Sequence, residues 1–204
     1  MTERLQQSIL RAQDWGFIGG DLEQHLDHSL AFVEILHSLD FDIRSGVDLG
    51  SGGGLPGLVI LTSMQEIQLS LVEIMGKRAA FLEEAITDLE LGSRAQVVRA
   101  RAEELAHDQR FRERYSFVTA RSFAGPGVTA EVATGFLEVG GMLVVSEPPN
   151  SSGERWSAAG LYRLGLRLNE VRKGAFSFAV LVKFQSSHAS FPRVAGKAWK
   201  QPLF

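Results

Sequence analysis

The sequence of 204 residues contains no cysteine. This absence excludes disulfide bonds, thiolate zinc sites and cysteine nucleophiles. Long apolar runs are also missing, because none approaches the roughly 20 residues that a membrane-spanning helix needs. The first residues, MTERLQQSILRAQDW, carry scattered charges and lack the apolar core of a secretory signal. We therefore expect a reduced, cytoplasmic protein that does not associate with a membrane.

Acidic residues are absent from the C-terminal part of the chain. The net charge is −3, yet no Asp or Glu follows Glu170, while six Lys or Arg residues do. Arg193, Lys197 and Lys200 are the last three of these and have aromatic residues among them. Cations next to aromatic rings are typical of contacts with a polyanion such as RNA. The alternative is a tail that packs on the protein and leaves its charges in solvent.

From residue 45 onward, strand-like and helix-like patterns alternate along the chain. The alternation predicts βαβ units, and therefore an α/β fold with a parallel sheet and helices on both faces. Two final strands, over 166–171 and 176–184, are joined by a short turn and predict an antiparallel hairpin at the end of the sheet.

We expect one structural domain in three parts. These are a helical N-terminal extension, 1–40, a core domain, 41–186, and a basic C-terminal tail, 187–204. In the extension, Asp21 is a candidate N-cap for a helix that ends near residue 39.

Three further boundaries are predicted from glycine and proline. Gly92 is expected to cap the end of a helix that begins at Lys77. Gly140 is expected to precede a strand over 141–146, and PPNSSGE, residues 148–154, is expected to be a mobile loop.

A cluster of glycines lies in GVDLGSGGGLPG, residues 46–57, between a predicted strand and a predicted helix. Glycines let a ligand approach the backbone closely, and the free N–H groups of a helix N-terminus attract polar or anionic groups. Gly52, Gly54 and Gly57 match the dinucleotide pattern G-x-G-x-x-G. A tight turn without any ligand would also use glycines.

A second frame of the same cluster begins with a carboxylate. Gly50, Gly52 and Gly54 follow Asp48 and match the first motif of class I methyltransferases that bind S-adenosyl-L-methionine. Asp48 would repel a pyrophosphate but suits an ammonium group, and it therefore favours this second frame. Glu73 follows about 20 residues later at a predicted strand end, where an acidic residue is suited to ribose hydroxyls. The alternative for Glu73 is a solvated strand end.

Four stretches extend this motif in order: VDLGSGGGLPGLVI, LVEIMGKRAAFLEEAITDLEL, VVRARAEELA and FVTARSFA. Together they resemble the GidB-type 16S ribosomal RNA guanine-N7 methyltransferases, and the tail FPRVAGKAWKQPL resembles the basic C-terminal signature of many of these proteins. The resemblance implies a Rossmann-like class I methyltransferase fold with a mostly parallel, seven-stranded sheet. It also implies S-adenosyl-L-methionine as the cofactor.

The resemblance and the motif together assign site residues. Contacts to the cofactor from the loop are expected at Asp48, Gly50, Gly52, Gly54 and Leu55. Glu73 is implied at the ribose, Ala102 and Glu103 near the adenine, and Arg121 near the methionine end of the cofactor or the target base. No metal is expected, because His25 and His28 have no third ligand at a suitable spacing.

The implied acceptor sets the expected chemistry. Guanine N7 carries an unprotonated lone pair at neutral pH, and its methylation therefore needs no general base. We expect Arg121 to act as an orienting or electrostatic group, and Arg193, Lys197 and Lys200 to bind RNA. Methylation at carbon 5 of a pyrimidine is disfavoured, since it commonly uses a cysteine nucleophile. The expected partner is 16S ribosomal RNA or the small ribosomal subunit, bound by a monomer.

Several residues depart from the family pattern. Ser146-Glu147 stands where family members usually carry Lys-Gly, and Ser116 stands where an Asp is common. These departures leave two alternatives open: a methyltransferase with another RNA or small-molecule acceptor, and a non-catalytic, cofactor-binding protein associated with the ribosome. An NAD-dependent oxidoreductase is disfavoured by Asp48.

Overall fold

The computed structural model describes residues 2–39 and 42–204. The chain divides into two compact units, Met1–Ala100 and Arg101–Phe204. The seven strands of the described residues belong to a mixed, mostly parallel sheet with an antiparallel C-terminal pair, which confirms the predicted fold class. The predicted boundary between residues 40 and 41 lies outside the described residues, and the three-part division stays a prediction.

The first unit contains three parallel strands in the order β3-β2-β1. Their bounds are β1 Ser45–Leu49, β2 Gln68–Val72 and β3 Ala95–Val98. The helices are α1 Glu3–Asp14, α2 Leu22–Ser38, α3 Gly57–Ser63 and α4 Gly76–Asp88. Four of the five residues in both β1 and β2 are buried, as expected for parallel strands that are covered on both faces.

In the first unit, the predicted start of α2 is confirmed, whereas the predicted end of α4 is wrong. The side chain of Asp21 accepts a hydrogen bond from the Glu23 N–H, which confirms it as the N-cap of α2. The prediction that Gly92 caps α4 is wrong, because α4 ends at Asp88. Glu90 instead adopts the left-handed backbone, with φ of 58°, and the N–H of Leu91 donates to the carbonyl oxygen of Ile86 at 2.9 Å.

The second unit contains four strands in the order β4-β5-β7-β6. β4 and β5 are parallel, whereas β7 is antiparallel to both β5 and β6. The strands are β4 Tyr115–Ala120, β5 Leu137–Glu147, β6 Leu166–Arg172 and β7 Ser177–Lys183. The helices are α5 Ala102–Leu105, α6 Pro126–Thr134, α7 Ala158–Arg163 and α8 Lys197–Lys200.

The strand that was predicted over 141–146 is longer than expected. β5 begins at Leu137, and its pairing with β4 shifts register between Tyr115 and Phe117. Gly140, with φ of 94°, therefore lies inside the strand and not before it. The sequence indicated the wrong boundary because glycine occurs in β-bulges as well as in turns.

A buried lysine connects three segments of the second unit. The side chain of Lys183 is 0% exposed, and its Nζ donates to Glu113 at 2.5 Å and to the carbonyl oxygens of Thr134 and Leu137 at 2.7 Å each. Glu113 also accepts a hydrogen bond from the N–H of Ser187 at 2.7 Å. The ammonium group can donate three hydrogen bonds, and all three have acceptors here.

Candidate functional site

The glycine loop is fixed to the neighbouring strand as soon as β1 ends. The N–H groups of Gly50 and Ser51 both donate to the carbonyl oxygen of Val72, at 2.9 and 3.1 Å. Gly50, Gly52 and Gly54 have φ of 66°, 55° and 93°. Side chains other than glycine rarely adopt this left-handed region, and so the three positions of the predicted methyltransferase frame all require glycine for the backbone path.

Three glycines of the cluster are also required by close packing, the first being Gly53, where a Cβ atom would lie 2.5 Å from Ile18 Cγ1. A Cβ atom on Gly54 would lie 2.4 Å from Leu58 Cδ1, and one on Gly57 would lie 2.5 Å from Leu71 Cδ2 and 2.9 Å from Asp48 Oδ2. Gly52 differs, because the nearest atom to a Cβ there would be the carbonyl oxygen of Gly50 at 3.7 Å. The loop is therefore packed tightly on its inner side and has room at Gly52.

Glu73 follows β2 and connects the loop to the segment before α4. The residue is 3% exposed, and its carboxylate accepts hydrogen bonds from the N–H of Gly52 at 2.9 Å and from the N–H of Met75 at 2.8 Å. The structure therefore brings Glu73 to the glycine loop and excludes the alternative of a solvated strand end. A carboxylate has more acceptor positions than these two bonds use, so the same group can accept hydrogen bonds from the hydroxyls of a ligand.

Asp48 is buried in β1, one residue before the strand ends, next to the first residue of α3, Gly57. Leu55 is also buried. The described first unit thus combines two buried carboxylates, a glycine loop and a helix N-terminus. These groups fit a ligand that brings both hydroxyls and a positive charge, as S-adenosyl-L-methionine does, better than a pyrophosphate.

We expect Gly54→Ala to destabilise the protein by about 2–4 kcal/mol, since the new methyl group would overlap Leu58 and the backbone would be strained at positive φ. Chemical denaturation would measure this loss. Gly92→Ala is the matched control, because a Cβ there would meet nothing within 4 Å. Equal stability of the two variants would contradict the packing argument.

In the second unit, the residues predicted near the adenine begin α5. Ala102 and Glu103 are both buried. The Glu103 carboxylate accepts hydrogen bonds from Arg101 Nη1 at 3.4 Å and from the N–H of Gly196 at 3.2 Å. Arg121 follows β4 and is half-buried. The assignment of these residues to the cofactor stays a prediction.

The structure shows a role for Glu147 that the sequence did not indicate. Its side chain is 0% exposed at the end of β5. It accepts hydrogen bonds from the Ser151 hydroxyl at 2.5 Å and from the Trp156 indole N–H at 3.1 Å, and Arg155 Nη1 lies 3.7 Å away. The loop predicted over 148–154 is therefore fixed to the sheet by Glu147. No spacing pattern indicates such a contact, because its partners lie in an irregular segment.

A cavity of about 280 Å³ lies next to this loop. Its lining includes Phe123 after β4, Ser146 and Glu147 at the end of β5, and Arg155 and Trp156 from the loop. All of these residues belong to the second unit. In parallel α/β sheets, ligands bind beyond the carboxyl ends of the strands, and the cavity lies beyond these ends of β4 and β5.

The basic C-terminal tail is packed on the second unit. The guanidinium group of Arg193 forms two hydrogen bonds with the buried Glu131 carboxylate, at 2.8 and 2.6 Å, and the backbone N–H of Arg193 adds a third at 2.8 Å. The hydrogen bonds to Glu131 raise the pKa of Arg193, although burial acts in the other direction. Lys197 and Lys200 are exposed on α8. The geometry thus gives Arg193 an internal partner, and RNA contact by these three cations stays a prediction.

Metal sites and membrane-spanning helices are both absent from the described residues. No group of three or more His, Cys, Asp or Glu side chains could hold a metal ion within residues 2–39 and 42–204. No helix in the same ranges is both long and apolar enough to cross a membrane.

Solved structures show the same fold at low sequence identity. A cofactor-bound protein from MTB named Rv0187 matches with a TM-score of 0.61 and 14% identity over 90% of both chains. An O-methyltransferase family protein from Burkholderia thailandensis matches with a TM-score of 0.61 and 14% identity over 81% of this chain and 59% of its own. These likenesses confirm the class I methyltransferase fold.

Sequence relatives give the family. A relative from Symbiobacterium thermophilum, named ribosomal RNA small subunit methyltransferase G, is 37% identical over 77% of this chain and 69% of its own length. One of the same name from Oenococcus oeni is 33% identical over 77% of this chain and 67% of its own. The family model GidB, described as rRNA small subunit methyltransferase G, matches residues 20–151. With its glycine loop, its buried Glu73 and these matches, the chain belongs to the GidB family of small-subunit ribosomal RNA methyltransferases.

Proposed function

We propose that the protein transfers a methyl group from S-adenosyl-L-methionine to guanine N7 in 16S ribosomal RNA. The observation that carries the proposal is the buried Glu73 carboxylate, which two backbone N–H groups hold against the glycine loop. A buried carboxylate at this position suits ribose hydroxyls, and family membership supplies the reaction and the class of acceptor.

The proposed contacts to the cofactor follow from the chemistry of each group. Glu73 would accept hydrogen bonds from the ribose hydroxyls, and Asp48 would attract the ammonium group of the methionine part. The left-handed backbone at Gly50, Gly52 and Gly54 would allow close approach, with Leu55 beside it. The family resemblance adds Ala102 and Glu103 near the adenine.

When bound, the cofactor would supply an electrophilic methyl group on a sulfonium. The protein would align the acceptor nitrogen with that methyl group and exclude water. Arg121 would orient the base or stabilise charge through its guanidinium. A general base is not required, because N7 carries no proton to remove.

The departure at Glu147 does not favour another acceptor. Its carboxylate accepts hydrogen bonds from Ser151 and Trp156 and lies close to Arg155, so its charge is compensated inside the protein and serves to fix a loop. We therefore retain guanine N7 and propose 16S ribosomal RNA or the small subunit as the partner of a cytoplasmic monomer.

Mass spectrometry of nucleosides from small-subunit ribosomal RNA tests the proposal directly. We expect a strain without the gene to lose one N7-methylguanosine per small subunit, and the purified protein with S-adenosyl-L-methionine to restore it. The Glu73→Ala variant should fail to restore it. An unchanged N7-methylguanosine content in the deletion strain would contradict the proposed acceptor.

A further inference from the structure

An exposed tryptophan projects from the last helix of the second unit. Trp199 on α8 is 43% exposed. Its ring contacts Phe123 edge to face, with the ring centroids 5.9 Å apart and an interplanar angle of 76°. An edge-to-face contact uses one ring's edge and leaves ring surface available, so the indole can still stack with a ligand.

The helix that carries Trp199 is held firmly on the second unit. Ala198 beside it is buried. The N–H of Gly196, which precedes α8, donates to Glu103, and Arg193 is paired with Glu131. An aromatic side chain on a fixed support loses little conformational entropy when it binds.

The chemistry around Trp199 favours a nucleic acid over a protein. Lys197 and Lys200 lie on the same short helix and are exposed. A base stacked on an aromatic ring, with cations at its phosphates, is the general mode by which single-stranded nucleic acids bind. A protein partner would not need two ammonium groups so close to the aromatic surface.

Trp199 lies close to the cavity of the second unit. Phe123 contacts the Trp199 ring and also lines the cavity of about 280 Å³. Arg155 is another residue of the cavity lining. The exposed indole is therefore next to a side chain of the cavity wall. A strand of RNA that enters the cavity with one nucleotide would have its neighbouring nucleotide near Trp199.

We propose that Trp199 stacks on an unpaired base of the RNA substrate, next to the nucleotide that is methylated, while Lys197 and Lys200 contact the phosphates. This inference rests on the proposed function for its choice of RNA. It adds a binding site for a single-stranded nucleotide and assigns the site to named side chains.

The test measures binding of a fluorescent single-stranded oligoribonucleotide of about 12 nucleotides, a length within the range of single-strand sites. We expect Trp199→Leu to weaken binding roughly 5- to 150-fold, as loss of one stacked base does, and Trp199→Phe to retain most of the affinity. Trp15→Leu is the matched control, because Trp15 is 50% exposed in the first unit. The RNA duplex of the same sequence should bind all variants alike.

The salt dependence of RNA binding tests the two lysines separately. Replacing both Lys197 and Lys200 with Gln should flatten the dependence of log Kd on log salt concentration by about 1.4, since each contact with a single-strand phosphate contributes about 0.7. An unchanged slope would overturn their assignment to phosphates.

The outcomes separate this inference from the proposed function. Equal RNA affinity of Trp199→Leu and the wild type would overturn the stacking site and favour a protein partner instead. An equal loss in Trp15→Leu would overturn it as well. If Trp199→Leu binds RNA weakly while the wild type leaves ribosomal guanine unmethylated, the stacking site stands and the proposed function fails.

Discussion

Replacement of Lys183 with Met is expected to lower the free energy of unfolding by about 3–5 kcal/mol, the usual cost of removing one partner from a buried ion pair. The variant would leave Glu113 without its cation and the carbonyl oxygens of Thr134 and Leu137 without a donor. Denaturant titration would measure the loss. Lys173→Met is the matched control, since Lys173 is exposed between β6 and β7, and we expect it to change stability by less than about 0.5 kcal/mol.

The pH dependence of the stability loss in Lys183→Met gives a sharper test of the ion pair. Burial raises the pKa of Glu113, but the hydrogen bonds from Lys183 and Ser187 outweigh burial and hold that pKa below its ordinary value. Burial lowers the pKa of Lys183. The stability that Glu113 contributes is therefore present above its unfolded pKa, about 4.3, and is lost as the pH falls through its folded pKa.

The free energy of unfolding of Lys183→Met should accordingly approach that of the wild type in acid, because a protonated Glu113 no longer needs a cation. If the difference in the free energy of unfolding between the two proteins stays constant from pH 7 to pH 3, the lysine stabilises the fold only through the two carbonyl groups. The double variant Lys183→Met/Glu113→Gln should recover part of the loss at neutral pH, since no charge is then left unpaired and the amide oxygen can still accept the hydrogen bond from the Ser187 N–H.

Glu73→Ala is expected to weaken binding of S-adenosyl-L-methionine by roughly 100-fold or more, because hydrogen bonds to a charged group contribute about 1.5–3 kcal/mol each. The variant removes the proposed acceptor for the ribose and releases the N–H groups of Gly52 and Met75. Calorimetry would measure the Kd.

Two controls separate binding from folding in this experiment. Glu66→Ala removes an exposed carboxylate that precedes β2 and should leave the Kd unchanged. Glu73→Gln keeps one acceptor oxygen and should lie between Glu73→Ala and the wild type. A folded Glu73→Ala variant with the Kd of the wild type would contradict the assignment of Glu73 to the ribose.

The parts of the site that the sequence predicts are those whose chemistry is local. Gly50, Gly52 and Gly54 can be recognised because a left-handed backbone requires glycine wherever it occurs. Glu73 can be recognised because its distance from the loop along the chain follows from one helix, α3, and one strand, β2. The alternation of strands and helices predicts the sheet for the same reason, since it depends on short-range periodicity.

The parts that the sequence does not predict depend on contacts between distant residues. Arg193 was expected to bind RNA, and nothing near it in the sequence indicates that its guanidinium pairs with the buried Glu131 on α6. Glu147 belongs to the Ser146-Glu147 pair that departs from the expected pattern, and only the folded loop shows that Ser151 and Trp156 use its charge. The α4 boundary was missed because Glu90 adopts a backbone that usually favours glycine.

The hydrogen bond between Glu103 and the N–H of Gly196 has a thermodynamic consequence. Glu103 is proposed to face the adenine, and Gly196 directly precedes the helix that carries Lys197 and Trp199. A ligand that displaced the shared carboxylate would weaken or remove its hydrogen bond to the segment before that helix. If RNA binds at that helix, linkage would require cofactor occupancy and RNA affinity to alter each other by the same factor, and this hydrogen bond would be the contact through which the two ligands are coupled.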